Sequence, residues 1–178
     1  MHGILHKSLK GYVGEHVPGT TWDEVLEAAG IEPKLYLPVS RYPDEEFTGA
    51  ITVVAEQTGT AEAVVQRNVG AYLAPELLNT FKAHVKRGWG TKEVVANLEG
   101  IYRQIETGDK DAELPTISTD RISEDTYIVQ YQSERRLCHL AKGIIEGIAD
   151  DFDDAVTISE GACMHDGDGH CELTVEFA

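Results

Sequence analysis

The chain has 178 residues, 42% of them hydrophobic, which is enough for a real core in one domain or a compact two-part domain. A formal charge of −16 argues against nucleic acid or an anionic membrane as a partner. No apolar run approaches the ~20 residues that span a bilayer.

The start, Met1-His2-Gly3-Ile4-Leu5-His6-Lys7, has neither a long apolar stretch nor a cleavage signal, so a cytoplasmic location is expected. Thr21-Trp22-Asp23-Glu24 is a capping box, and Gly30 suits the stop of the helix it opens. Asp44 is placed to cap a helix carrying Phe47, Ile51 and Val54 on one face. A further helix is expected from about Thr60, with Val64, Val65 and Val69, and Pro75 marks the start of its successor. Gly88 to Gly90 breaks the chain. Thr91 then opens one helix whose apolar positions are Val94, Val95, Leu98, Ile101, Tyr102 and Ile105.

The character changes after Gly108. Lys110 to Glu113 reads as a polar link, and Pro115 begins an extended stretch. Thr126 to Tyr131 alternates, with Tyr127, Val129 and Tyr131 on one face, and so predicts a strand. Arg136 to Phe152 has the helical period, with Leu137, Leu140, Ile144, Ile145 and Ile148 inward. Val156–Ile158 and Leu173–Val175 predict the two strands of a hairpin. The fold class expected is α+β: residues 1–108 mainly helical and 109–178 an antiparallel sheet with helices, together a single domain.

Tyr131-x-Ser133-x-Arg135 sits where a strand ends and a helix begins. A phenol, a hydroxyl and a planar guanidinium at that junction are suited to grip two neighbouring carboxylates. The plain alternative is a strand end with ordinary polar residues.

Three cysteines form the second constellation. In a reducing compartment they read as metal ligands, redox thiols or small buried residues. Cys163 and Cys171 face each other across the hairpin, and Cys138 lies in the first turn of the helix after Arg135. Three thiolates and one more donor make a tetrahedral zinc site. The fourth donor is Glu160, His165 or His170; His170 is preferred because imidazole is the commoner partner of thiolates. Asp166-Gly167-Asp168-Gly169 resembles part of a calcium loop but lacks the remaining carboxylates of an EF-hand. No nucleophile–base set, phosphate loop or paired catalytic carboxylates stand out, so no enzyme is expected.

The layout resembles the H-NOX family, the haem nitric-oxide/oxygen binding domains, over nearly the whole chain. The resemblance rests on Met1-His2-Gly3, Trp22, Tyr42-Pro43-Asp44, Gly70, Asn97-Leu98-Glu99-Gly100-Ile101, Pro115 and Tyr131-x-Ser133-x-Arg135. It implies haem b, with its propionates on Tyr131, Ser133 and Arg135, and a diatomic gas, nitric oxide, as the ligand sensed. It also implies a signalling partner such as a histidine kinase or a cyclic-di-nucleotide enzyme. In the family the helix after the Asn-Leu run supplies a proximal His; this sequence has Tyr102 at that place. Tyr102 then ligates ferric haem, or haem is held through the propionate grip with a weak or absent protein ligand, or the pocket is vacant and Tyr102 is an ordinary core aromatic. Where some members carry a distal Tyr, this sequence has Leu140, and the N-terminal helix adds Leu5 and Leu9, an apolar pocket with no donor for bound oxygen. Some bacterial members hold zinc with three Cys and one His; the place of that His is Glu160 here. The competing function is a haem-independent thiol–zinc redox switch or interaction module.

Overall fold

The computed structural model describes residues 1–109 and 113–178. Seven α-helices and a four-stranded antiparallel sheet make an α+β fold among these residues. Of the polar link expected at 110–113, all but Glu113 lies outside the described residues.

The helical half begins with α1 (Gly3–His16) and α2 (Trp22–Ala28). Thr21 and Glu24 close the capping box on α2, and Gly30 takes the left-handed conformation with φ 69° just beyond it. Helix α3 (Asp44–Thr58) buries Phe47, Ile51 and Val54, as its spacing predicts. Asp44 is not its cap, however. Pro43 holds that position, and the Asp44 carboxylate turns away to two cations described below.

Pro75 does not start a new helix but lies inside α4 (Glu62–Thr80). A proline there removes the amide that would bond the Ala71 carbonyl one turn back. Helix α7 (Cys138–Asp151) passes directly over that carbonyl: a Cβ on Gly147 would meet Ala71 O at 2.4 Å. The same closeness recurs along the crossing. A Cβ on Gly70 would meet Leu140 O at 2.3 Å, and one on Gly143 would meet Arg67 O at 1.8 Å. Three glycines thus let two backbones touch, and Arg67 pairs with Glu146 across the outer side of the contact.

The single helix expected from Thr91 is two helices, α5 (Thr91–Ala96) and α6 (Leu98–Gly108). Asn97 interrupts them at φ −114°, ψ 9°, while its side-chain amide donates to Glu93 O at 2.8 Å. An asparagine bonding its own backbone is a local competitor of the helix.

Strands β1 (Thr116–Arg121), β2 (Thr126–Gln132), β3 (Val156–Glu160) and β4 (Cys171–Phe177) form a sheet in the order β1-β2-β4-β3. The register sets Tyr131 opposite Ile117 on β1 and Cys171 on β4. Val129, Leu173 and Val175 form one buried cluster with Ile145 of α7 and Val95 of α5. Leu9, Val13, Phe47, Val54 and Val69 are fully buried in the helical core. No helix among the described residues is long and apolar enough to cross a membrane.

Gly143→Ala is expected to destabilise the chain by about 3 kcal/mol, because backbone must yield to the new methyl. Gly14→Ala in α1, where the added Cβ meets nothing within 4 Å, should be stabilising by up to about 1 kcal/mol. Urea denaturation of the two variants against wild type measures both.

Candidate functional site

A cavity of about 470 Å³ lies between the helical half and the sheet half. Its volume falls in the ~300–1,000 Å³ range of ligand pockets. Apolar side chains supply most of the wall: Ile4 and Leu5 from α1, Leu73 and Leu77 from α4, Ile101 and Ile105 from α6, Ile144 and Ile148 from α7. Tyr102, Pro115, Tyr131, Ser133, Arg135 and Leu140 all line this one cavity. Leu9 does not; it is fully buried in the helical core.

Arg135 is the cation of the Tyr-x-Ser-x-Arg run; Arg41, paired with Asp109, lines the same cavity. Chain direction puts it there: β2 ends at Gln132, and Arg136 takes a left-handed turn at φ 50° before α7 begins. Arg135 Nε donates to Asp44 Oδ2 at 2.5 Å. Its other two nitrogens reach Glu113, Nη1 the carbonyl and Nη2 the carboxylate, each at 2.5 Å. The Glu113 side chain is 76% exposed, so this ion pair is weak and easily replaced by another carboxylate. Asp44 also accepts from the Met1 amino group at 2.7 Å. Burial works against its charge, but the Arg135 guanidinium and that amino group outweigh burial and hold its carboxyl below the usual range.

Two phenols line the same cavity as the guanidinium. Tyr131 is buried, and burial pushes its hydroxyl up to about 12 although Ser133 bonds it. Tyr102 lies near enough for charge on one ring to affect the other, and burial raises its phenol as well. Both phenols are therefore neutral unless a cation displaces the proton. Leu140, on the α7 face, offers a methyl surface and no hydrogen-bond donor.

The thiols gather behind Tyr131. Cys138, Cys163 and Cys171 are buried in one cluster with Tyr131 and Met164. Cys163 and Cys171 have their sulfurs 3.9 Å apart. One ligand atom each from Cys138, Glu160, Cys163 and Cys171 lies within 4.8 Å of the others. Burial and then the nearby Cys171 push the Cys138 thiol far up, and burial raises Cys163 too. Such a group of thiols resists ionising together until a divalent cation joins it. Lys142, itself buried, holds Glu160 at 2.7 Å.

The histidine expected as fourth donor is not in this group. His170 is 42% exposed and faces Glu172 at 3.7 Å, because the loop turns its ring outward from β4. Glu160 stands in the position instead. His165 lies near Cys138 and His139, but its Nε2 meets the Arg136 carbonyl at 2.9 Å. Asp168 accepts from Cys163 N at 2.9 Å, so its carboxylate shapes the loop from within.

The sequence model of the haem-NO-binding family matches residues 2–160. The chain belongs to the H-NOX family. That family is one of haem-binding gas sensors. Among solved structures, the H-NOX protein of S. oneidensis in the Fe(II)NO state is 24% identical, with a TM-score of 0.91 over 100% of this chain and 99% of that one. The same protein as an Fe(II) mutant is 26% identical, TM-score 0.92, covering 100% of this chain and 96% of that one. A mutant of T. tengcongensis H-NOX is 21% identical, TM-score 0.83, with 99% and 97% covered. No curated protein sequence matches significantly.

Haem carries an apolar macrocycle and two carboxylates. The H-NOX cavity here fits both: apolar walls, the Arg135 guanidinium, and a partner of that guanidinium, Glu113, that is exposed enough to give way. Sequence reasoning missed Asp44 and Glu113 as the carboxylates that hold Arg135. It also missed His84, which lines the cavity from a different segment than α6. The −x–Pro-Asp-Glu-Glu– run was a signal for Asp44, read as a cap; nothing local pointed to His84.

The depressed Asp44 carboxyl makes an acid-side prediction. Its interactions are fully present above the ordinary aspartate value of about 4 and are lost as pH falls through the lower folded value. Asp44→Asn should lower the melting temperature at pH 6 and flatten its decline as the pH falls below about 4. Melting curves across that range read out both effects.

Proposed function

We propose that this chain binds haem b in the cavity between its halves and senses nitric oxide, passing the signal to a partner protein in the cytoplasm. The partner's class is that of a histidine kinase or a cyclic-di-nucleotide enzyme, as the family resemblance implies. The observation that carries the reading is the convergence of Tyr131, Ser133, Arg135, Pro115, Tyr102 and Leu140 on one apolar cavity. Haem supplies an iron that binds diatomic gases; the protein decides which state of that iron is held and what surrounds the gas.

Arg135, with Ser133 and Tyr131, holds the propionates. Glu113 leaves the guanidinium as they arrive, and Asp44 stays as the buried-side anchor. Leu140 and Leu5 give no hydrogen bond to bound oxygen, which favours nitric oxide over stable oxygen binding. Tyr102 is a hard ligand whose proton must leave before it binds a metal, and it suits ferric iron.

Arg135→Ala should weaken haem retention about tenfold or more, the loss of charge-assisted hydrogen bonds worth ~1.5–3 kcal/mol. Transfer of haem to apomyoglobin measures this. Unchanged transfer rates would remove the grip from the account.

A second reading is favoured by the thiol group. We propose that Cys138, Cys163 and Cys171 hold zinc, with Glu160 as the fourth donor, so that the hairpin loop responds to thiol oxidation with or without haem. Elemental analysis should find about one zinc per chain, and chelation should destabilise the sheet half. Zinc-free protein with three freely titrating thiols would leave only buried cysteines.

A further inference from the structure

The cavity has a nitrogen donor that α6 does not supply. His84 ends the single 3-10 turn Lys82–His84 between α4 and α5, and its side chain lines the cavity. Its Nδ1 lies 2.9 Å from Gln104 Oε1. A carboxamide oxygen only accepts, so in the neutral ring this contact sets the proton on Nδ1 and leaves the lone pair on Nε2. Among the described residues no group hydrogen-bonds Nε2. One ring nitrogen fixed by a carbonyl-type acceptor and the other left open is the arrangement of metal-binding histidines.

The other histidine on the wall is already committed. His2 Nδ1 accepts from Ile4 N at 3.5 Å as the cap of α1.

Charge separates the roles of the two remaining donors. A ferric porphyrin core carries one net positive charge, and a phenolate from Tyr102 cancels it. A ferrous core is neutral, so a phenolate would leave an uncompensated negative charge in an apolar cavity, at a high desolvation cost. A neutral imidazole adds no charge. It binds ferrous iron without any proton having to leave.

We propose that His84, through Nε2, is the protein ligand of ferrous haem iron in this chain, with Gln104 as the residue that fixes its tautomer. The proposal rests on the cavity being the haem pocket. It gives the pocket a ferrous ligand from outside the helix that carries Tyr102.

The test is resonance Raman and visible absorption of the haem-loaded ferrous full chain. Wild type should show an iron–imidazole stretch. His84→Gly should lose it, and added imidazole should restore it. Tyr102→Phe should keep it, and Gln104→Leu should shift its frequency while haem stays bound. The assignment is overturned if wild type holds ferrous haem without an imidazole signature, or if the signature survives in His84→Gly. Failure of wild type to take up haem at all overturns the pocket reading and the ligand with it; retained haem with the wrong ligand overturns only His84. Imidazole rescue, with circular dichroism of the variant, separates ligand loss from misfolding.

Discussion

The close approach of α4 and α7 is the constraint on which the rest depends. Gly70, Gly143 and Gly147 remove the side chains that would hold the two backbones apart, and Pro75 leaves the Ala71 carbonyl without its helical amide just where Gly147 crosses. With the axes this close, α7 can serve several surfaces at once. Ile145 packs on the sheet, Leu140, Ile144 and Ile148 face the cavity, and Cys138 opens the helix among the thiols. A wider crossing would move the cavity wall and the thiol group together.

The second constraint is electrostatic. The chain is strongly acidic, yet the cavity presents the Arg135 guanidinium, held among carboxylates. Asp44 and Glu113 differ in kind. The Asp44 side chain is half as exposed as that of Glu113 and is shared between Arg135 and the Met1 amino group, whereas Glu113 stands mostly in solvent. An incoming dicarboxylate therefore competes with the weaker partner while the stronger one keeps Arg135 in place. Tyr131 connects this region to the thiols, since it lines the cavity and packs in the cluster of Cys138, Cys163 and Cys171. Tyr131 is thus one side chain shared by the cavity wall and the thiol group.

Much of this was legible in the sequence because the signals were local. The capping box at Thr21, the alternation of β2 and the apolar face of α7 each follow from spacing, and the Tyr-x-Ser-x-Arg run marked the cavity's polar group. The errors share a cause: a local signal was outweighed by tertiary contact. Pro75 looked like a helix start, but packing against α7 keeps α4 continuous through it. Asp44 looked like a cap, but two cations offered its carboxylate more. Asn97 was read through as helix, although its side chain bonds the backbone and splits α5 from α6. His170 is preferred in the sequence as an imidazole beside Cys171, and His84 carries no local signal. The hairpin loop turns the first away from the thiols, and the turn after α4 brings the second to the cavity.

The central claim is that the cavity receives a tetrapyrrole by its two carboxylates as well as by its apolar face. Iron-free protoporphyrin IX and its dimethyl ester share the macrocycle and differ only in those carboxylates, and neither carries a metal for Tyr102 or His84 to bind. Titration of the ligand-free chain with each, followed by porphyrin absorption, isolates the grip. The account predicts saturable binding of the diacid and at least about tenfold weaker binding of the diester, the effect of losing a charge-assisted contact of ~1.5 kcal/mol or more. Equal affinities, or no saturable binding of the diacid, would contradict it.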